Sequence, residues 1–90
     1  MQVEQLVWDR KTLHKISKKH YLTPGEVEEV FESTYHIRRS GRVHHAYGQT
    51  GAGRYVFVVL FHLGKGRAQV VTARDMAQKE RQLYLGTLRR

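Results

Sequence analysis

Six consecutive apolar residues, Val56-Phe57-Val58-Val59-Leu60-Phe61, constrain this chain more than any other stretch. The run is short, rich in β-branched and aromatic residues, and bounded by Gly51-Ala52-Gly53 before it and Gly64-Lys65-Gly66 after it. It reads as a strand over Arg54–Leu63. Successive side chains of a strand point to opposite faces. A strand apolar at every position is therefore central in its sheet and covered on both faces. The chain has 90 residues, which is room for one domain, 1–90, built around that strand.

The flanking segments supply the rest of the sheet. Tyr35-His36-Ile37-Arg38-Arg39 alternates and ends at a Ser40-Gly41 turn; Val43 to Gly48 reads as a second strand. Gly64-Lys65-Gly66 closes a hairpin into a further strand over Arg67–Thr72. Short loops between strands predict a four-stranded antiparallel meander. Two helices precede it. Asp9 to His20 carries Leu13 and Ile16 on one side, with Asp9 as a cap. Thr23-Pro24-Gly25-Glu26 is a capping box with proline at the first helical position. Val27, Val30 and Phe31 follow as one stripe, with Glu28, Glu29 and Glu32 opposite. Thr72-Ala73-Arg74-Asp75 reads as a second capping box, opening a last helix. Met76, Leu83 and Tyr84 form its apolar side, and Lys79, Arg81, Arg89 and Arg90 its basic side. The predicted order is ααββββα, a small α+β domain whose helices pack on the sheet.

Charge bounds the function. Sixteen Lys and Arg stand against eight acids, a net charge of +8. Such a field attracts polyanions, so nucleic acid or an acidic protein is the expected partner. There is no cysteine, which excludes disulfides, thiolate metal sites and a cysteine nucleophile. The N-terminus carries Glu4, Trp8 and Asp9 with no apolar run behind them, unlike a signal peptide. No stretch approaches the ~18 apolar residues of a membrane span. The expectation is a soluble, cytoplasmic protein. No dinucleotide-binding, phosphate-loop or metalloprotease motif occurs.

Four stretches, spanning about Trp8 to Tyr84, resemble the BrnT family within the wider RelE-like toxin group. They are Lys19-His20 with Thr23-Pro24-Gly25-Glu26-Val27-Glu28-Glu29-Val30; Tyr47-Gly48-Gln49-Thr50 with Gly53-Arg54-Tyr55; the apolar strand to Phe61; and Thr72-Ala73-Arg74-Asp75-Met76 with Glu80-Arg81 and Tyr84. The resemblance implies a RelE-like fold and an RNA-cleaving toxin that inhibits translation. It also implies a ribbon-helix-helix antitoxin as partner. Lys65 and Arg67, which flank a hairpin tip, read as a solvated basic pair or as a contact to RNA or the ribosome.

RNA cleavage without a metal or other cofactor needs a base for the 2′-hydroxyl, an acid for the leaving 5′-oxygen, and a cation for the phosphorane. Arginine suits the last task and histidine the first two. Arg54, behind a glycine turn, is a candidate phosphate clamp or a solvated hairpin-end arginine. Arg74 would stand in a helix's first turn, where a cation is disfavoured, which marks it as a functional candidate; a salt bridge to Asp75 or Glu80 is the alternative. His20 is a candidate proton carrier or a helix-terminal histidine. Lys19 and Arg81 are candidate RNA contacts, and Glu80 is expected to orient an arginine. Tyr84 reads as a base- or phosphate-binding residue or as core. His44 and His45, as strand neighbours, point to opposite faces and cannot share a metal. A non-catalytic nucleic-acid-binding module, or a degenerate toxin acting only as a protein-interaction domain, would carry the same charge.

Overall fold

A computed structural model describes residues 2–89, so Arg90 of the predicted basic flank lies outside the described residues. The elements are β1 (Gln5–Val7), α1 (Arg10–His20), α2 (Pro24–Glu32), β2 (His36–Ser40), β3 (Val43–Gln49), β4 (Tyr55–Gly64), β5 (Arg67–Asp75) and α3 (Gln78–Leu88). The sheet has the order β1-β5-β4-β3-β2, with β4 at its centre as its apolar run requires.

Two cores lie on the two faces of β4. Val56, Val58 and Leu60 are fully buried with Ile16 of α1 and Val27 and Val30 of α2. Phe57 joins Tyr47, Met76 and Tyr84 on the other side, with Tyr55 and Val59 packed against them. Full burial of one such aliphatic or aromatic side chain contributes about 1.5–3 kcal/mol, so Val56 to Leu60 hold both layers to the sheet, while Phe61 is left 41% exposed on a face expected to be covered.

The two N-terminal caps form as the sequence predicts. Asp9 accepts from the Thr12 amide at 2.7 Å. Thr23 Oγ1 accepts from the Glu26 amide at 3.1 Å, and Glu26 Oε1 accepts from the Thr23 amide at 3.0 Å. α1 ends on Tyr21 in the left-handed region, φ 53°, with the Leu22 amide donating back to the Ile16 carbonyl. That left-handed close turns Leu22 into the core, where it is 1% exposed.

Three predictions fail. The sheet has five strands rather than four, because Gln5–Val7 pairs parallel to β5. Three residues carry no readable period; β1 forms because the outer edge of β5 offers unpaired backbone groups. The second predicted capping box is not a helix start. Thr72, Ala73, Arg74 and Asp75 continue β5, opposite Val59, Val58, Phe57 and Val56. Pairing with the apolar centre of the sheet, and burial of Ala73, outweigh a local capping signal. α3 begins at Gln78, where Glu80 Oε1 accepts from the Ala77 amide at 2.8 Å. Arg74 is therefore a strand residue, and the argument from a helix's first turn does not apply to it. Leu83, assigned to the apolar side of the last helix, is 45% exposed.

Candidate active site

The arginines singled out in the sequence occupy opposite faces of the sheet. Arg74 and Asp75 are neighbours on β5 and point apart. Asp75 faces the α1–α2 layer, where it binds Arg54. Arg54 Nε and Nη2 reach Asp75 Oδ1 and Oδ2 at 2.6 and 3.0 Å. Arg54 Nη2 also donates to the His20 carbonyl at 2.7 Å, and Nη1 to the Tyr21 carbonyl at 2.8 Å. Nη1 further lies 3.5 Å from Glu26 Oε2. Every donor position of this guanidinium thus faces a protein acceptor. The hydrogen bond from Arg54 holds the Asp75 carboxyl below its ordinary range, and Asp75 in turn raises Arg54. Arg54 fastens the carbonyl end of α1 to β5, a favourable place for a cation. It has no free fork for a phosphate, which corrects its reading as a clamp.

Arg74 is held differently. Nη1 and Nη2 donate to Glu80 Oε1 and Oε2 at 2.7 and 2.9 Å, and Nη1 to the Asp75 carbonyl at 3.0 Å. Among the described residues, Nε–H and one Nη2–H have no acceptor. These two share an edge of the guanidinium, the spacing that meets two phosphate oxygens. The guanidinium carbon lies 4.4 Å from the Phe57 ring centroid. The hydrogen bond from Arg74 holds Glu80 below the usual carboxylate range, so Glu80 is a fixed anion that orients the arginine.

Phe57 gathers further groups. His45, opposite Val59 on β3, sits edge-on to Phe57 with ring centroids 5.1 Å apart. His45 adds a smaller effect to the lowering of Glu80, which places it near that carboxylate. Tyr47 lies 5.2 Å from Phe57 and 6.0 Å from His36, its cross-strand partner. Arg38 stands opposite His45 on β2 and is exposed. One sheet face thus carries Arg74, His45, Tyr47, His36 and Arg38 together. The sequence alone marks His45 only as a strand neighbour of His44 that cannot share a metal with it. Its register to Phe57 and Arg74 crosses three strands, and no spacing along the chain announces it.

The other candidates scatter. Tyr84 is 2% exposed, its hydroxyl donates to the Thr34 carbonyl at 2.7 Å, and burial pushes the phenol up. It anchors α3 in the core and is not offered to a ligand. His20 ends α1 near Asp75, and contributes to the lowering of that carboxyl. Lys19 is exposed on α1, on the layer opposite Arg74. Arg81 is exposed on α3, its guanidinium carbon 4.7 Å from the Tyr55 ring centroid. Two clefts, of about 340 and 330 Å³, flank α2 and are lined by Glu4, Glu28, Glu29 and Glu32 among others; their charge suits no polyanion. Among the described residues no group of three or more His, Cys, Asp or Glu could hold a metal ion, and no helix is long and apolar enough to cross a membrane.

No family model and no curated protein matches the chain. Among solved structures, it is similar to the crystal structure of the Brucella abortus ribonuclease toxin BrnT, with a TM-score of 0.65 at 17% identity. The match covers 84% of this chain and 100% of the Brucella chain. The chain has the BrnT fold, with the edge strand β1 added to the predicted meander.

Proposed function

We propose that this protein is an endoribonuclease toxin of a type II toxin–antitoxin pair, cleaving RNA without a metal and inhibiting translation, with Arg74 at its centre. The observation that carries the reading is the cluster on Phe57: an arginine with one free donor edge, locked by Glu80, beside a histidine on an open basic face. The fold shared with a ribonuclease toxin supports it.

The chemistry follows from these side chains. The free edge of Arg74 binds two oxygens of the scissile phosphate, and gains most as charge builds on the phosphorane. Glu80 and Phe57 fix the guanidinium beforehand, so little reorganisation is needed at the moment of reaction. A neutral imidazole takes the 2′-hydroxyl proton as O2′ attacks phosphorus, and a protonated group returns a proton to O5′ as that bond breaks. His45 is placed for one of these transfers and His36 for the other, with the buried Tyr47 packed between His36 and Phe57 as their support. The product is a 2′,3′-cyclic phosphate and a free 5′-hydroxyl. Arg81 remains an outer RNA contact in this scheme; Lys19 and His20 lie across the sheet from Arg74 and take no part in it, while Arg54 and Tyr84 support the scaffold. A ribbon-helix-helix antitoxin is the proposed partner, a role supported by the net charge of +8.

Induced expression in a bacterial host tests the assignment. Wild type arrests growth with decay of cellular RNA on a gel, and Arg74→Ala expresses to the same level without either effect. Equal toxicity of the two chains contradicts the role of Arg74. A soluble wild type that arrests nothing points to a binding module without catalysis.

A further inference from the structure

α3 covers one end of the sheet face that carries Arg74, over Tyr47, Phe57 and Tyr55. Beyond it the face is uncovered. Along β4, Phe57, Val59 and Phe61 point the same way. Val59 still packs against the smaller core, but Phe61 is 41% exposed. Its cross-strand neighbour on β5 is Gln69, and that of Val59 is Thr72. Arg67 continues this edge on β5, two residues before Gln69.

We propose that Phe61 is a base-stacking subsite for single-stranded RNA, extending the Arg74–His45 centre along the sheet; the proposal rests on the ribonuclease reading above. Four residues of strand separate Phe57 from Phe61, about 13 Å at a rise near 3.3 Å per residue. That distance takes a ligand past the scissile phosphate to neighbouring nucleotides. An exposed ring on a sheet face offers its π-surface to any base; Thr72 offers its hydroxyl to a base edge, and Gln69, whose Nε2 donates to Asp9 Oδ2 at 3.5 Å, offers its carbonyl oxygen. Arg38 and Arg67 lie on flanking strands, where the phosphates of a strand crossing the sheet would run. The acids agree with a polyanion. Asp75 and Glu80 are each ion-paired to an arginine, and the other six acids lie on α2, at the N-cap of α1 or beside β1. Phe61 shares this face with the equally exposed Leu63 and with Val59, so the ring stands in a short apolar stripe flanked by the arginines rather than alone.

Binding of a fluorescent, uncleavable 2′-deoxy-substituted oligonucleotide, compared with cleavage of a dinucleotide and of a long RNA, tests this. Phe61→Ala is expected to weaken oligonucleotide binding roughly 5- to 100-fold, and Phe61→Leu, which keeps bulk without a ring, to lose a similar factor. Phe61→Tyr retains binding. All three cleave the dinucleotide, too short to reach Phe61, at the wild-type rate. Thermal melting checks the fold, which an exposed side chain leaves unchanged. Wild-type affinity in both Phe61→Ala and Phe61→Leu overturns the subsite, leaves the nuclease reading standing, and gives the face to a protein partner. A wild-type chain that neither binds nor cleaves RNA overturns both.

Discussion

Arg54 and Arg74 show how one residue type serves two ends according to what its donors meet. Arg54 spends its whole guanidinium on Asp75, Glu26 and two α1 carbonyls. Its truncation leaves Asp75 without its cation and the end of α1 uncapped. Arg54→Ala is therefore expected to lower stability by about 2–3 kcal/mol, read as a drop in the denaturant midpoint at unchanged m-value. Full stability in that variant would show that the network contributes nothing. Arg74 also holds Glu80, but it keeps two donors unspent and is expected to lower the rate of cleavage far beyond any effect of its loss on stability.

At the scale of elements, the sequence spoke clearly where a signal was local. The caps of α1 and α2 follow from Asp9 and from Thr23-Pro24-Gly25-Glu26, and the centrality of β4 follows from its unbroken apolar run. It misled where a local signal met a stronger non-local one: Thr72 to Asp75 spells a capping box, yet pairing with Val56–Val59 draws it into β5. β1 has no signal of its own, since its reason to exist is an edge of β5. The site was half legible for the same cause. Arg74 and Glu80 are six residues apart and were both singled out, whereas His45 reaches them only through register. Register also explains Gly48. It lies where α2 crosses β3, and a Cβ there would sit 2.8 Å from Val30 Cγ1 and 3.0 Å from the Val30 carbonyl oxygen. Backbone cannot yield as a flexible side chain does, so Gly48→Ala is expected to cost about 1–3 kcal/mol, visible as a lowered melting temperature. An unchanged melting temperature would mean that α2 is free to lift from the sheet.

The whole molecule divides its charge and its response to acid. His44 faces the larger core, opposite Leu60 and 5.9 Å from the ring of His62; burial, then His62, pushes its pKa below the ordinary value of 6.5. The unfolded chain then binds this proton at a higher pH than the folded chain does. Stability is therefore expected to fall as pH drops through about 6.5, the ordinary imidazole value. Asp9, Asp75 and Glu80 are depressed by their hydrogen bonds, so what they contribute is present above the ordinary carboxylate range and is lost as pH falls below it. Two losses are expected in melting curves, one near neutral pH and one in acid. His44→Phe removes the first and leaves the second; a first step unchanged by that substitution would assign it elsewhere.

The proposed function turns on Arg74 stabilising the transition state of metal-free RNA cleavage. The most direct measurement incubates purified wild type and Arg74→Ala with single-stranded RNA in the presence of a chelator, with the ends of the products identified. Expected is cleavage by the wild type to 2′,3′-cyclic phosphate ends and a kcat about 100- to 1,000-fold lower in Arg74→Ala, measured at a temperature where melting curves show both chains folded. Cleavage that requires added metal, or that Arg74→Ala performs at the wild-type rate, would contradict it.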